Sequence, residues 1–232
     1  MALNIPAARR LRFALTADAL ERFANGGSLT VLDAGCGEGA LAQLLAKRHP
    51  DWNIVAADSD EFQLERARGR LHESRTKNVQ VRQLDLTGDL GQSVYDAVLA
   101  IECLVEISDD DAAIASMAAA LRPGGLFIAH VPAWDWTPVL PRSETTWRHQ
   151  VRHGYDAEIL TSKLSGVGLT VSSIRPSTRV MVRVVQELRD RVKNRSNLRL
   201  AVYPMSLVAV ELERHGFAWG HPRALFVEAL RK

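Results

Sequence analysis

The sequence predicts an α/β protein built on a doubly wound, mostly parallel, seven-stranded sheet, and three observations carry that expectation. Short apolar runs of strand length alternate with segments of helical periodicity. The early strands each pass into a helix through a brief turn, the pattern of right-handed crossovers that cover both faces of a parallel sheet. A glycine-rich turn, GCGEGA at 35–40, stands between the first strand and its helix. With 232 residues, 47% hydrophobic and 24% charged, the chain suits a single domain, 1–232.

The elements follow in order. Leu11, Leu15, Ala19 and Phe23 recur at helical spacing, so 1–28 reads as an N-terminal helical segment closed by Asn25, Gly26 and Gly27. LTVLD (29–33) is a buried strand stopped by Gly35, and a helix runs from Gly39 to Arg48 before His49 and Pro50 end it. NIVAA (53–57) is the second strand, followed by a charged helix from Asp60 to His72; NVQVRQL (78–84) is the third. YDAVLAI (95–101) is the fourth, followed by an alanine-rich helix that Asp109 or Asp110 caps. LRPGG turns the chain into LFIAHV (126–131), the fifth strand.

Beyond Pro132 the pattern loosens into a long loop holding Trp134, Trp136 and Trp147. A helix at 156–166 and a strand LTVSSI (169–174) restore the rhythm, and ALFVEAL (224–230) is the last strand. Between those two strands lies far more chain than a usual connection. Val180, Met181, Val184, Val185, Leu188 and Val192 mark one amphipathic helix there, and Pro204 opens another that reaches Leu212. Residues 175–222 therefore read as a helical cap inserted before the last strand.

Composition narrows the class. A net charge of +2 gives no general field for nucleic acid or an acidic membrane. Cys36 and Cys103 lack neighbours at metal-ligand spacing and form no disulfide framework, so reduced thiols, a cytoplasmic location and no metal are expected. No stretch approaches the ~20 apolar residues of a membrane span.

The glycine turn by itself has two readings. Gly35, Gly37 and Gly39 let the backbone approach a ligand at a helix N-terminus. The same residues satisfy a G-x-G-x-x-G/A dinucleotide pattern, with Asp58 placed to hold a ribose, which is the NAD-dependent oxidoreductase reading. Three acids favour a different ligand. Asp33, two residues before Gly35, can orient a cationic amino-acid end but would repel a pyrophosphate. Asp58 can accept from both ribose hydroxyls, and Asp85, in QLDL, can accept from an adenine amino group. Cys36 taken alone reads as a small buried filler.

With those residues in place the chain resembles class I S-adenosylmethionine-dependent methyltransferases over about 29–132. VLDAGCGEG is similar to the family's cofactor loop, AADSD to its ribose acid, QLDL to its adenine contact, and YDAVLAIECLVEI and LRPGGLFIAHVP to its fourth and fifth strands. The resemblance implies a Rossmann-like methyltransferase fold and S-adenosyl-L-methionine as cofactor. It places Asp33, Gly35, Cys36, Gly37, Gly39, Asp58, Ser59, Asp85, Leu86, Ile101 and Glu102 around that cofactor.

Transfer from a sulfonium is an in-line displacement in which the donor loses charge, so the protein chiefly aligns the acceptor and excludes water. An alcohol acceptor also calls for a general base. Glu102 matches an acid that relatives carry after the fourth strand. Relatives carry His where this chain has Glu106, which reads as a cap or a solvent-facing group. WRHQVRHGYDAEIL (147–160) resembles a segment of small-molecule and glycan methyltransferases: His149 is the candidate base, His153 the alternative, with Arg152 and Tyr155 positioning substrate. Trp134, Trp136 and Trp147 are a candidate stacking wall, or ordinary packing.

Between 175 and 199 eight basic residues oppose only Glu187 and Asp190, a solvated face or a contact for phosphate, nucleic acid or an anionic bilayer. The expectation is O-methylation of a small-molecule or glycan-like acceptor, with N- or C-methylation next. Nucleic-acid bases are disfavoured because AIEC lacks the N/D-P-P-Y/F grip on a flipped base. A non-catalytic S-adenosylmethionine-binding partner protein is the remaining class.

Overall fold

A computed structural model describes residues 5–140, 150–192, 196–217 and 219–232. Its seven strands form one sheet in the order β3-β2-β1-β4-β5-β7-β6. β1 (Thr30–Ala34) lies between β2 (Asn53–Asp58) and β4 (Tyr95–Ile101); β3 (Val79–Gln83) extends one side and β5 (Leu121–Pro132) the other. All of these pairings are parallel. β7 (Ala224–Arg231) then runs antiparallel between β5 and β6 (Leu169–Ser177). Strand order reverses at β1 and β4, which opens a crevice at their carboxyl ends where such sheets hold ligands.

Both faces are covered, so β1 alternates burial from one side to the other. Leu32 and Ala34 join a core with α4 (Asp110–Ala120) and α5 (Ala157–Gly166), whereas Val31 joins one with α1 (Ala7–Ala24) and α2 (Ala40–Arg48). Local chemistry sets the ends. Asn25 closes α1 in the left-handed region, and Asp60, Asp109 and Asp156 accept backbone N–H groups at the starts of α3 (Glu61–Glu73), α4 and α5.

Three expectations differ in detail. β5 begins at Leu121 rather than 126, although LRPGG still makes the turn: the pairs jump from Tyr95–Leu121 to Ala97–Leu126, so 122–125 leave the ladder, with Gly124 at φ 78°. β6 continues to Ser177 because β7 offers it a partner as far as Ala224, so the inserted segment starts at Thr178 rather than 175. Pro204 does not open a helix but lies inside α7 (Ser196–Arg214), where its ring faces water.

The insertion is part of the core. Val182 and Val185 of α6 (Val180–Arg191), with Ala209 and Val210 of α7, are buried in the cluster that holds Leu11 and Leu15 of α1. Arg214 also grips Asp18 of α1 through two 2.6 Å bonds. Among the described residues no helix is long and apolar enough to cross a membrane.

Candidate active site

The turn after β1 is shaped by what its backbone must approach. The N–H groups of Gly35 and Cys36 both donate to Ala57 O, at 2.8 and 2.9 Å, pinning the turn to β2. Gly35 has φ 71°, and a Cβ there would lie 2.4 Å from Cβ of Cys103, so no side chain fits. Gly39 caps α2 at φ 67°. A cavity of about 760 Å³ opens in front of this turn, in the ordinary range for small-ligand sites.

Three carboxylates face it from three strand ends. Asp33, in β1, is only 2% exposed, and its Oδ2 has no hydrogen-bond partner. Burial, with a contribution from Asp58 and against a backbone N–H from Ala42, pushes its carboxyl up to about 7. Asp58, at the end of β2, accepts from the N–H of Gly37 (2.8 Å) and of Asp60 (3.0 Å), so its orientation is fixed while lone pairs remain for a ligand. Asp85 commits Oδ1 to the N–H and hydroxyl of Thr87, and those bonds hold its carboxyl below the ordinary value.

A further acid of the lining, Glu102, follows β4 at φ 67°. Its Oε1 lies 2.5 Å from Nδ1 of His130 and 3.8 Å from Arg12 Nη1. Burial alone would raise its carboxyl, but Arg12, His130 and Arg223 together hold it down to about 2. His130 is 1% exposed at the end of β5, and its Nε2 lies 3.1 Å from the Ser177 hydroxyl. Carboxylate, imidazole and hydroxyl thus stand in line, but Ser177 is sealed in the core.

The structure brings the expected cofactor residues together. Asp33, Gly35, Cys36, Gly37, Asp58, Ser59, Asp85, Leu86, Ile101 and Glu102 all line the one cavity, and Gly39, the N-cap of α2, is outside its lining. Glu106 lines it too, from the 3₁₀ turn Leu104–Glu106. Both thiols are pushed well up by burial and by Asp33 and Asp58, so neither Cys36 nor Cys103 is a thiolate.

The expected substrate residues fall elsewhere. Tyr155 is buried, its hydroxyl 2.7 Å from Asp110 Oδ2. Arg152 donates to Leu104 O and Ile107 O, both at 2.7 Å, and to Ser108 O. These two side chains tie the loop after β5 to the turn after β4. Trp136 is buried between His153, stacked at 5.9 Å, and the Arg223 guanidinium at 4.4 Å, while Trp134 is exposed. None of these residues lines the cavity. Trp147 and His149 lie outside the described residues.

Sequence reasoning missed Arg9, Arg12 and Phe13 of α1, which line the cavity, and it missed His130. Helical periodicity makes the two arginines a solvent face, and only the path of α1 across the sheet brings them to the site. His130 did carry a signal: an imidazole inside an apolar strand needs a buried partner.

A ligand fitting these groups has a cation for Asp33, an anion for the guanidiniums of Arg9 and Arg12, hydroxyls for Asp58 and a donor for Asp85. The amino-acid, ribose and adenine parts of S-adenosylmethionine have that order, whereas a pyrophosphate at the turn would meet Asp33. The comparisons agree. The family model of a methyltransferase domain matches residues 31–125. A protein of Mycobacterium tuberculosis, named only as a methyltransferase, is 30% identical over 139 residues, 53% of this chain and 67% of that one. The ubiquinone biosynthesis O-methyltransferase of Acinetobacter baumannii is 33% identical over 41% of this chain and 40% of its own length. Among solved structures, the N-methyltransferase NodS of Bradyrhizobium japonicum, bound to S-adenosyl-L-homocysteine, superposes with a TM-score of 0.62. The match covers 99% of this chain and 90% of NodS at 18% identity, a likeness of fold.

The chain belongs to the class I S-adenosylmethionine-dependent methyltransferases. It is an enzyme of that family with S-adenosylmethionine as cofactor. When bound, the cofactor supplies a methyl group made electrophilic by its sulfonium. The chain's own groups bind, orient and exclude water.

Proposed function

We propose that this enzyme methylates an oxygen atom of a small-molecule or glycan-like acceptor, with Asp33, Asp58 and Asp85 holding the cofactor and His149 taking the acceptor proton. The observation that carries the reading is the tie between the described chain from Val151 onward and the rim of the cavity. The N–H of Val151, two positions after His149, donates to Val105 O at 2.9 Å, and Val105 stands between the cavity-lining Cys103 and Glu106. On the preceding side, the N–H groups of Val139 and Leu140 donate to Glu187 of α6 at 3.0 and 2.6 Å. Glu102, at about 2, is too weak a base to take a hydroxyl proton. Its part is to hold Arg12 and the electrostatics of the methyl end. The name of the Acinetobacter relative supports an oxygen acceptor.

The test is a panel of hydroxylated and amino small molecules incubated with enzyme and isotope-labelled cofactor, with product connectivity read by mass spectrometry and NMR. O-methyl products from the parent, lost in His149→Ala, are expected. N-methyl products alone would transfer the reading to amine acceptors.

A further inference from the structure

One buried imidazole is tied to the cavity without lining it. His130, 1% exposed, pairs with Ile101 across β4 and β5, and its carbonyl accepts the N–H of Glu102 at 2.8 Å. Its Nδ1 meets the carboxylate of the same residue, so Glu102 is held to His130 by backbone and side chain alike. Held at about 2, the Glu102 carboxyl is ionised and only accepts, so Nδ1 carries the proton. Glu102 sits at φ 67°, a conformation that a residue with a Cβ keeps only where its surroundings impose it. The ring is fixed in turn by the Ser177 hydroxyl, 3.1 Å from Nε2, and by Phe226, 6.4 Å away between centroids.

Glu102 passes this order on to Arg12. Arg12 Nη1 stands 3.8 Å from Oε1, the same oxygen that meets Nδ1, an ion pair without a hydrogen bond. Among the described residues the Arg12 guanidinium makes no hydrogen bond, and its Nε is buried without a partner. Its donors are therefore open to a ligand in the cavity that Arg12 lines. Arg9, one turn away on α1, lines the same cavity, and burial, with a contribution from Arg12, lowers its guanidinium. An anion relieves the repulsion of two like charges so placed. Arg223 also acts on Glu102, but its guanidinium lies over the Trp136 ring at 4.4 Å, outside the cavity lining.

Strand order says which part of the ligand Arg12 meets. Asp85, Asp58, Asp33 and Glu102 stand at the carboxyl ends of β3, β2, β1 and β4, which lie in that order across the sheet. A cofactor whose adenosine part lies at Asp85 and Asp58 has its amino-acid end at Asp33, beside Glu102 and Arg12. We propose that His130 is a positioning residue for that amino-acid end: it fixes the Glu102 carboxylate, and Glu102 sets the Arg12 guanidinium to receive the carboxylate of the cofactor. His130 touches no ligand and acts only through Glu102. The proposal rests on the cofactor lying across Asp85, Asp58 and Asp33 and on nothing about the acceptor. It gives the line of carboxylate, imidazole and hydroxyl a use that needs no access to Ser177.

The experiment is calorimetric titration of the full chain with two probes, S-adenosylhomocysteine and 5′-methylthioadenosine, which keeps the adenosine and sulfur but lacks the amino-acid end. Asp58→Ala, which should weaken both probes, is the control. His130→Ala is expected to weaken S-adenosylhomocysteine about tenfold or more and to leave methylthioadenosine within about twofold of the parent. His130→Phe, which fills the space and removes the donor, should show the same split and carries the test where His130→Ala does not fold. Combined with Arg12→Gln, either change should bind no more weakly than Arg12→Gln alone. His130→Asn, whose Nδ2 stands as far along the side chain as Nδ1, should recover most of the affinity. A loss shared equally by both probes, no loss, additive losses in the combined variant, or no recovery in His130→Asn overturns the proposal. A parent that binds neither probe overturns the cofactor's placement, and this proposal with it.

Discussion

Glu102 and His130 end neighbouring parallel strands, and the 2.5 Å contact between Oε1 and Nδ1 joins the cavity to the core beneath it. Because His130 also reaches Ser177, its loss strands two buried partners. His130→Ala is expected to cost about 2–4 kcal/mol of stability in urea unfolding near neutral pH. The carboxyl of Glu102 is lower in the folded chain than its ordinary 4.5. Its contribution is therefore present above pH ~4.5 and fades as pH falls toward 2, up to roughly 3 kcal/mol. Parent stability should fall over that window, and Glu102→Gln should flatten the fall.

Asp33 has the opposite sign. Its carboxyl is raised to about 7, so the stability it contributes is full below pH ~4 and is lost as pH rises through 7. Asp33→Asn should make the ligand-free protein more stable near pH 8 than its parent. The same change should weaken S-adenosylhomocysteine binding by about 1–3 kcal/mol, because the cation loses its carboxylate. Parent affinity should rise with pH through about 7 as the carboxylate forms. Thermal melts and calorimetric titrations across pH measure both; a variant less stable than the parent near pH 8 would refute the account of Asp33.

Two glycines of one turn should respond differently. Gly35→Ala meets both a positive φ and the Cys103 side chain at 2.4 Å, and a loss of about 3 kcal/mol or more is expected. Gly37→Ala meets only its φ of 53°, in open space, and should cost about 1–2 kcal/mol. Equal losses in denaturant titrations would contradict the packing described.

Removing Thr178–Arg223 should prevent folding rather than yield an open enzyme. Val182, Val185, Ala209 and Val210 fill the same core as Leu11 and Leu15. A deletion variant with a cooperative melt and parent-like circular dichroism would show that α1 and the sheet complete that core alone.

The legible part of the fold was the part governed by local chemistry. Apolar runs bounded by glycines, prolines and acidic caps placed β1 to β4 and the helices between them within a residue or two. The acids at 33, 58 and 85 were legible because each sits at a strand end, where topology alone gathers them. What escaped depended on distant partners. The length of β6 is set by pairing with β7 some fifty residues later, and α7 carries Pro204 in its interior while it packs against α1 and α6. Arg9 and Arg12 acquire their place from the crossing of α1, and His130 from Glu102 and Ser177. Arg152 and Tyr155 looked like substrate contacts and instead bind one loop to another.

The most direct measurement is calorimetric titration of the parent and of Asp58→Ala with S-adenosylhomocysteine and with NAD. Asp58 fixes the glycine turn through Gly37 and Asp60 and lines the cavity. The account predicts one S-adenosylhomocysteine per chain, weakened by about 1–3 kcal/mol in Asp58→Ala, and no heat from NAD. Tight NAD binding with no response to S-adenosylhomocysteine, or unchanged affinity in Asp58→Ala, would contradict it.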